Sequence, residues 1–329
     1  MQNIQELKHY FGKREIPDDF DKFWDKNLSN LPDKFSYQLS LKNFGFKNIS
    51  AYELTFKGTN HGEVYSRCLF PKNIDGPVPV VFYFHGYMGQ SPDWAQLLKY
   101  PASGVGIVAM DVRGQSGYSQ DLASFNGNTV LGHIIRGAEG GPEKLFYKHI
   151  YLDVFSLVEI VSNFEWVDEN KLYSYGGSQG GALALVAAAL NPKIKFTVAI
   201  YPFLSDFKYV IDSHNESEPY MELIRYFKFH DPFHKSEEQI IHTLDYIDVK
   251  NMAHRIECPV RMITGMMDTV CMPATQFAVY NRLGTSDKEH YLLPEYDHEP
   301  MNVHVNDQAY NWLCHTTIQI GKKKKFKNS

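Results

Sequence analysis

Residues 173–190 read YSYGGSQGGALALVAAAL, and this stretch decides the predicted fold. The residues up to Gly177 are typical of a short strand, and the run after Gly180 consists of small apolar helix formers. Between them, residues 176–180 match the pattern G-x-S-x-G, in which a serine lies at a sharp turn from a strand into a helix. Ser178 is therefore a candidate nucleophile. The alternative is that Ser178 only caps a buried helix.

The glycines around Ser178 favour the first interpretation. A nucleophile at such a turn has a strained backbone, so the residues two before and two after it must lack side chains. Gly176 and Gly180 meet that requirement and are predicted to support the turn. The N-terminus of the following helix would also favour the negative charge that develops when a serine attacks a carbonyl group.

The rest of the chain alternates short apolar, β-branched or aromatic runs with longer segments of helical period. Seven runs are candidate strands: 64–70, 78–85, 105–111, 171–177, 196–202, 259–265 and 289–295. Residues 144–163 have the period of an amphipathic helix. This alternation predicts an α/β protein with a mostly parallel central sheet flanked by helices, which together with the serine motif indicates the α/β-hydrolase fold.

The chain is predicted to form one domain over residues 1–329. Residues 1–40 are interpreted as an N-terminal helical extension, 204–257 as a mostly helical insertion, and 321–329 as a basic, solvated tail. A hydrophobic fraction of 43% and a charged fraction of 22% are those of an ordinary globular protein.

Charge and cysteine content exclude several classes of function. A net charge of −5 provides no basic field, so neither nucleic acid nor a membrane is expected as a partner. The four cysteines form no C-x-x-C pair, which predicts reduced thiols and no zinc site. The first residues lack the apolar core of a signal peptide, and no stretch approaches the ~18 apolar residues of a membrane span. We therefore expect a cytoplasmic protein.

A nucleophilic serine requires a base, and the base requires an acid that orients it. Both are expected just beyond later strands, where open α/β sheets place the residues that handle ligands. Asp268 follows the run 259–265, and His298 follows the run 289–295. The order Ser178, Asp268, His298 therefore predicts a catalytic triad. The other acids considered are less suitably placed: Asp245 and Asp248 in the insertion, Asp287 before the last strand, and Asp297 beside the histidine.

Acyl transfer also needs two hydrogen-bond donors for the oxyanion of the tetrahedral intermediate. They commonly are the N–H after the nucleophile and an N–H from the loop after an early strand. Gln179 supplies the first, and Tyr87 in FYFHGYMG (82–89) is predicted to supply the second. The alternative for this loop is an ordinary glycine turn at the end of a strand.

At these residues the sequence resembles the cephalosporin C deacetylase and acetyl xylan esterase family of carbohydrate esterases. The matching segments are HGY (85–87), RGQ (113–115), GGSQGG (176–181), GMMDTVCMPATQFAVYN (265–281) and DHE (297–299). The resemblance implies an α/β-hydrolase fold and hydrolysis of acetyl esters on sugars, xylo-oligosaccharides and cephalosporin C. It also implies that Arg113 and Gln115 brace the site. Family members are often hexameric, so a homo-oligomer is expected. The family usually has glycine before the histidine, where this chain has Asp297, whose negative charge would lie beside His298.

These observations predict a serine esterase that removes short acyl groups, acetyl first, through an acyl-enzyme. Ser178, His298 and Asp268 are expected to be catalytic, with the N–H groups of Tyr87 and Gln179 as oxyanion donors. The substrate is a small acetylated molecule, bound in part by Tyr87 and Trp94, and no metal or organic cofactor is expected. The alternatives are a peptidase or thioesterase on the same fold, and a hydrolase-fold binding protein with an inactive site.

Overall fold

The computed structural model describes residues 3–72, 74–123, 132–300 and 303–322, with side chains of the last range described from 304 to 314. Its strands are β1 (Tyr37–Lys42), β2 (Ile49–Lys57), β3 (Gly62–Pro71), β4 (Val78–Phe84), β5 (Gly106–Met110), β6 (Gln120–Asp121), β7 (Val167–Gly177), β8 (Ile194–Ile200), β9 (Val260–Gly265) and β10 (Lys288–Leu293).

Its α-helices lie mainly in the second half of the chain. They are α1 (Ile4–Leu7), α2 (Phe20–Ser29), α3 (Trp94–Leu97), α4 (Lys99–Ala102), α5 (Phe146–Ser162), α6 (Gln179–Leu190), α7 (Phe207–Asp212), α8 (Met221–Phe229), α9 (Glu237–Leu244), α10 (Val249–Met252), α11 (Pro273–Arg282) and α12 (Val303–Lys322). Short 3-10 turns cover Ala138–Gly140, Pro142–Lys144 and Ala253–Arg255. None of the helices in the described ranges is both long and apolar enough to cross a membrane.

The strands form one mixed sheet in the order β1-β2-β3-β5-β4-β7-β8-β9-β10, with β6 paired to β3. Neighbouring strands are parallel throughout the part of the sheet ordered β5-β4-β7-β8-β9-β10. The strands β1, β2, β3 and β6 pair antiparallel with their neighbours. The predicted fold class, a mostly parallel central sheet flanked by helices, is confirmed. Because β4, β7, β9 and β10 run in the same direction, their carboxyl ends meet at one edge of the sheet.

Both faces of the parallel half are covered. On one face Val80, Phe82 and Phe84 of β4 pack in the large core with α5 and α6, and on the other Val81 packs in a smaller cluster with α4 and α12. All twelve residues of α6 are buried. A helix that is apolar all round fits only in such an interior position, which explains the run GALALVAAAL.

All seven predicted strands are present, within one to four residues of the expected bounds. The helix predicted over 144–163 is α5, which begins at Phe146. Three strands were not predicted from the sequence: β1, β2 and the two-residue β6. Much of β1 and β2 is exposed or half-buried. Such strands carry polar side chains and lack the continuous apolar runs that mark a buried parallel strand.

The N-terminal segment is less helical than expected. Within residues 1–40 the described helices are only α1 and α2, and β1 begins at Tyr37. This segment packs on the 204–257 region, which contains α7 to α10 and no strand. The indole Nε1 of Trp24 donates to the carbonyl oxygen of Tyr246 over 3.0 Å, and the Trp24 ring lies 5.7 Å from the ring of Tyr151.

Replacing Trp24 by alanine tests how strongly α2 stabilises the fold. The side chain is fully buried (0% exposed), so Trp24→Ala should lower the free energy of unfolding by about 3–5 kcal/mol. The free energy is measured by urea unfolding, with circular dichroism as the probe of the folded fraction. The control Lys22→Ala changes an exposed residue of the same helix and should stay within about 0.5 kcal/mol of wild type. A loss below about 1 kcal/mol for Trp24→Ala would show that α2 is peripheral to the core.

Candidate active site

Ser178 lies between the end of β7 and the start of α6 with a strained backbone. Its φ is 56° and its ψ is −122°, a conformation that L-residues rarely adopt. It occupies the N-cap position of α6, yet its side chain makes no capping hydrogen bond. The hydroxyl Oγ instead lies 3.1 Å from Nε2 of His298. The turn therefore directs the hydroxyl away from the helix and toward the imidazole.

The glycines on either side of Ser178 are fixed by close backbone contacts. A Cβ on Gly180 would lie 1.9 Å from the carbonyl oxygen of Phe84, and a Cβ on Gly176 would lie 2.4 Å from the carbonyl carbon of Gly180. Gly181 is similarly confined, since a Cβ there would lie 2.7 Å from the carbonyl oxygen of Ile200. Side chains at these positions would separate α6 from the strands that hold it.

His298 and Asp268 complete the arrangement predicted from the sequence. Nδ1 of His298 lies 2.9 Å from Oδ2 of Asp268, whose side chain is fully buried. The other carboxylate oxygen, Oδ1, accepts from the N–H groups of Val270 (2.9 Å) and Cys271 (2.7 Å). Gln276 Nε2 donates to Oδ2 over 3.3 Å. The carboxylate is thus held from both sides, with Oδ2 facing the imidazole.

Asp297 is adjacent to His298 but faces its backbone. Its Oδ1 accepts from the N–H of His298 (2.7 Å) and from the N–H (2.9 Å) and hydroxyl (3.1 Å) of Thr269. Slight burial opposes ionisation, but these hydrogen bonds outweigh it and lower the pKa of Asp297. The aspartate therefore fixes the loop that carries His298, and Asp268 is the acid that contacts the ring.

Of the two predicted oxyanion donors, Gln179 directly follows the nucleophile and Tyr87 follows a glycine that lies beside it. Gln179 is the first residue of α6, and the first N–H groups of a helix have no acceptor within that helix. Tyr87 follows Gly86 at the end of β4, and a Cβ on Gly86 would lie 4.0 Å from Cβ of Ser178. In the part of the chain that the structure describes, neither the Tyr87 N–H nor the Gln179 N–H donates a hydrogen bond. Both N–H groups are available to a ligand beside Ser178.

The Gln179 side chain connects the loops around this site. Its Oε1 accepts from Gln115 Nε2 (2.7 Å) and from the Tyr147 hydroxyl (2.7 Å), and its Nε2 donates to Gln115 Oε1 (3.0 Å). The same Nε2 also reaches the carbonyl oxygens of His85 (3.3 Å) and Gly86 (3.4 Å). Gln115 and Gln179 therefore hold the loop that contains Tyr87 against the start of α6.

Arg113 is fully buried behind this network. Its Nε and Nη2 form a bidentate pair with Asp153 (2.6 and 2.5 Å), and its Nη1 donates to the carbonyl oxygen of Thr59 over 2.7 Å. Burial raises the pKa of Asp153 to about 6, even though the guanidinium acts to lower it. Arg113 and Gln115 thus join separate segments at the edge where the site lies.

The two residues predicted to bind substrate occupy different surroundings. The Tyr87 ring packs 5.6 Å from that of Phe203, and its hydroxyl donates to Glu222 Oε1 over 3.0 Å. Trp94 packs on the opposite face of the sheet, where its ring lies 5.2 Å from Phe44 and 5.7 Å from the guanidinium of Arg67. The described contacts of Trp94 do not include any residue of the predicted triad.

Three residues that contact the triad or the loop containing Tyr87 were not predicted from the sequence. The Tyr201 ring lies 4.6 Å from the His298 ring, and Tyr201 directly follows β8 at the same sheet edge as the other site residues. The predicted strand 196–202 included Tyr201, so the sequence placed it near this edge without marking it as a site residue. Gln276 carries no such signal, because it contacts Asp268 from within α11. Glu222 lies in the insertion, where no motif marks it.

Cys271 also lies beside the triad. Burial and the negative charge of Asp268 hold the pKa of the Cys271 thiol well above its usual value, so the thiol stays protonated near neutral pH. Donor atoms of Asp268, Cys271 and His298 lie within 4.8 Å of one another, the one such set of possible metal ligands in the described ranges. Two of these residues already bond to each other, so the hydrogen bonds of the triad account for the cluster.

Comparison with known proteins gives the family. The model of the family described as acetyl xylan esterase (AXE1) matches residues 2–316. Among curated proteins, acetyl esterase Axe7A of Xylanibacter ruminicola is 27% identical over a 290-residue alignment that covers 86% of this chain. The chain spans 63% of the length of that relative.

Solved structures of similar proteins cover almost the whole chain. Acetyl xylan esterase 1 from Thermoanaerobacterium sp. JW/SL YS485 is 39% identical, with a TM-score of 0.91 over 95% of this chain and 98% of that one. Acetyl xylan esterase from Paenibacillus sp. R4 is 34% identical, with a TM-score of 0.89 over 96% of this chain and 99% of that one. The chain belongs to the acetyl xylan esterase family of carboxylic ester hydrolases.

Proposed function

We propose that this protein hydrolyses acetyl esters of small carbohydrates through an acyl-enzyme on Ser178. The observation that carries the proposal is the chain of two contacts, 3.1 Å from Ser178 Oγ to His298 Nε2 and 2.9 Å from His298 Nδ1 to Asp268 Oδ2. Such a chain lets an imidazole remove the hydroxyl proton while a buried carboxylate stabilises the imidazolium. The acetyl xylan esterases named above support an acetylated xylo-oligosaccharide as substrate, and the family resemblance adds cephalosporin C.

In the first half of the reaction, Ser178 Oγ bonds to the ester carbonyl carbon as its proton passes to His298 Nε2. The carbonyl oxygen becomes an oxyanion that accepts from the N–H groups of Tyr87 and Gln179. His298 then gives the proton to the departing alcohol oxygen, and the C–O bond of the ester breaks. Each well-placed donor to the oxyanion contributes about 3–4 kcal/mol to lowering such a barrier.

In the second half, water replaces the alcohol. His298 Nε2 removes a proton from the water as its oxygen attacks the acetyl carbon, and the same two N–H groups stabilise the second oxyanion. Collapse of this intermediate breaks the bond to Ser178 Oγ, which recovers its proton from His298 as acetic acid leaves and loses its own proton to the solvent. The chain's own residues supply every proton transfer.

The role of Asp268 is tested by Asp268→Asn. The backbone N–H groups of Val270 and Cys271 would hold the amide oxygen, so the amide nitrogen would face His298 Nδ1. The imidazole would then carry its proton on Nε2 and could not accept one from Ser178. We expect kcat to fall about ten-thousandfold on 4-nitrophenyl acetate, with the fold retained.

The matched control for this variant is Asp297→Asn. Its carboxylate faces backbone N–H groups, so the loss of about 1 kcal/mol of hydrogen bonding should reduce kcat less than tenfold. A large loss of kcat in Asp297→Asn together with little loss in Asp268→Asn would show that Asp297, and not Asp268, is the catalytic acid.

The substrate class is tested by a panel of acyl compounds with initial rates. Acetylated xylo-oligosaccharides and cephalosporin C, followed by acetate release, should be hydrolysed faster than longer acyl esters, aminoacyl anilides or acyl-CoA. Ser178→Ala should lower kcat on every active substrate by on the order of a million-fold. Dominant turnover of an anilide or thioester would instead indicate a peptidase or thioesterase, and no turnover by folded protein would indicate a binding protein.

A further inference from the structure

A buried glutamate of the insertion contacts the loop that carries a proposed oxyanion donor. Glu222 lies on α8 and is 3% exposed. Its Oε1 accepts from the Tyr87 hydroxyl (3.0 Å) and the His133 N–H (3.1 Å), and its Oε2 accepts from the Ile135 N–H (2.9 Å). A Cβ on Gly132 would lie 2.3 Å from the carboxylate carbon, so the backbone lies directly against Glu222.

Among the described residues, Glu222 is unusual because it is buried with no cation paired to it. No salt bridge among the described residues includes it, and its donors are backbone N–H groups and one phenol. Burial raises the pKa of Glu222 to about 7, although hydrogen bonds from Ile135 and Tyr87 act to lower it. A buried, unpaired carboxylate costs stability, and such groups are concentrated at functional sites.

We propose that Glu222 is a positioning residue for the oxyanion donor at Tyr87. Its carboxylate anchors the Tyr87 hydroxyl and thereby fixes the backbone of residues 86–87. This keeps the N–H of Tyr87 directed at the oxyanion. This inference rests on the proposed esterase function, because it assigns the residue that holds one of its donors. Glu222 does not touch the reacting atoms itself.

The contacts of Tyr87 connect Glu222 to the backbone beside the nucleophile. Glu222 holds the hydroxyl end of the side chain, and the ring lies 5.6 Å from that of Phe203 and 5.9 Å from that of His133. The other end is the backbone directly after Gly86, which lies beside Ser178. With its hydroxyl held by Glu222 and its ring in contact with two neighbouring rings, Tyr87 has a backbone N–H with little freedom to turn.

The test is a double-mutant cycle with Glu222→Gln, Tyr87→Phe and both together, on 4-nitrophenyl acetate. Loss of an oxyanion donor costs about 100- to 1,000-fold in kcat, and a donor that is only misplaced should cost about tenfold. We expect each single variant to lower kcat about tenfold with KM changed less than about twofold. The double variant should be no slower than the slower single variant, because both changes remove the hydrogen bond between the Tyr87 hydroxyl and the Glu222 carboxylate.

Two results would overturn the proposal. One is a kcat within about twofold of wild type in either single variant, and the other is a double-variant loss equal to the product of the two single losses. Tyr87→Phe keeps the carboxylate and its backbone partners, so it tests the contact even if Glu222→Gln does not fold. Glu216→Gln makes the same charge change at an exposed position of the insertion and should leave kcat unchanged.

Ser178→Ala, assayed in parallel, separates this proposal from the proposed function. If Ser178→Ala retains the wild-type rate on the ester, the proposed function fails, whatever the Glu222 variants do. If Ser178→Ala abolishes turnover while Glu222→Gln and Tyr87→Phe keep their kcat, only the positioning role fails.

Discussion

The carbonyl group of Phe84 occupies the space that a side chain at Gly180 would need, and the backbone of Gly180 does the same for Gly176. These contacts bring α6 close to β4 and β7, and they leave Ser178 to make the turn with a φ of 56°. Strain of this kind persists only where the surrounding structure enforces it. Here a buried helix packed against two central strands provides that enforcement. The hydroxyl is consequently held outside the helix and in front of the imidazole.

The parallel half of the sheet then determines which distant residues can meet this hydroxyl. Ser178 and His298 are 120 positions apart in the chain, and His298 and Asp268 are 30 apart. All three nevertheless follow carboxyl ends of parallel strands, which lie at one edge. The antiparallel strands β1, β2, β3 and β6 extend the sheet without adding residues to the triad. Residues 113–115 and the insertion brace the loops on either side.

The sequence was sufficient for the parts of the molecule that depend on local patterns. Buried parallel strands are continuous apolar runs, so seven of the strands and the edge where Ser178, Asp268 and His298 meet could be predicted. Exposed β1 and β2 lack that signal, and residues 1–40 contain less helix than their amphipathic character indicates. Trp94 was predicted to bind substrate together with Tyr87, but it packs on the opposite face of the sheet from Tyr87.

The positions of Glu222 and Tyr201 depend on tertiary structure rather than on local sequence. Glu222 becomes meaningful only when α8 packs against residues 132–135, and no periodicity or motif encodes that contact. Tyr201 follows β8 in the structure, but the predicted strand 196–202 included it, and an aromatic residue carries less chemical signal than an acid or a base. The chemistry of a site is thus easier to predict than the residues that hold it in place.

The central claim, that the strained turn presents an activated hydroxyl, is tested most directly by labelling with a fluorophosphonate and mapping the modified peptide by mass spectrometry. The wild-type protein should carry a single adduct on Ser178, and His298→Ala should react much more slowly. Folded wild-type protein that forms no adduct, or that carries the adduct on another residue, would contradict it.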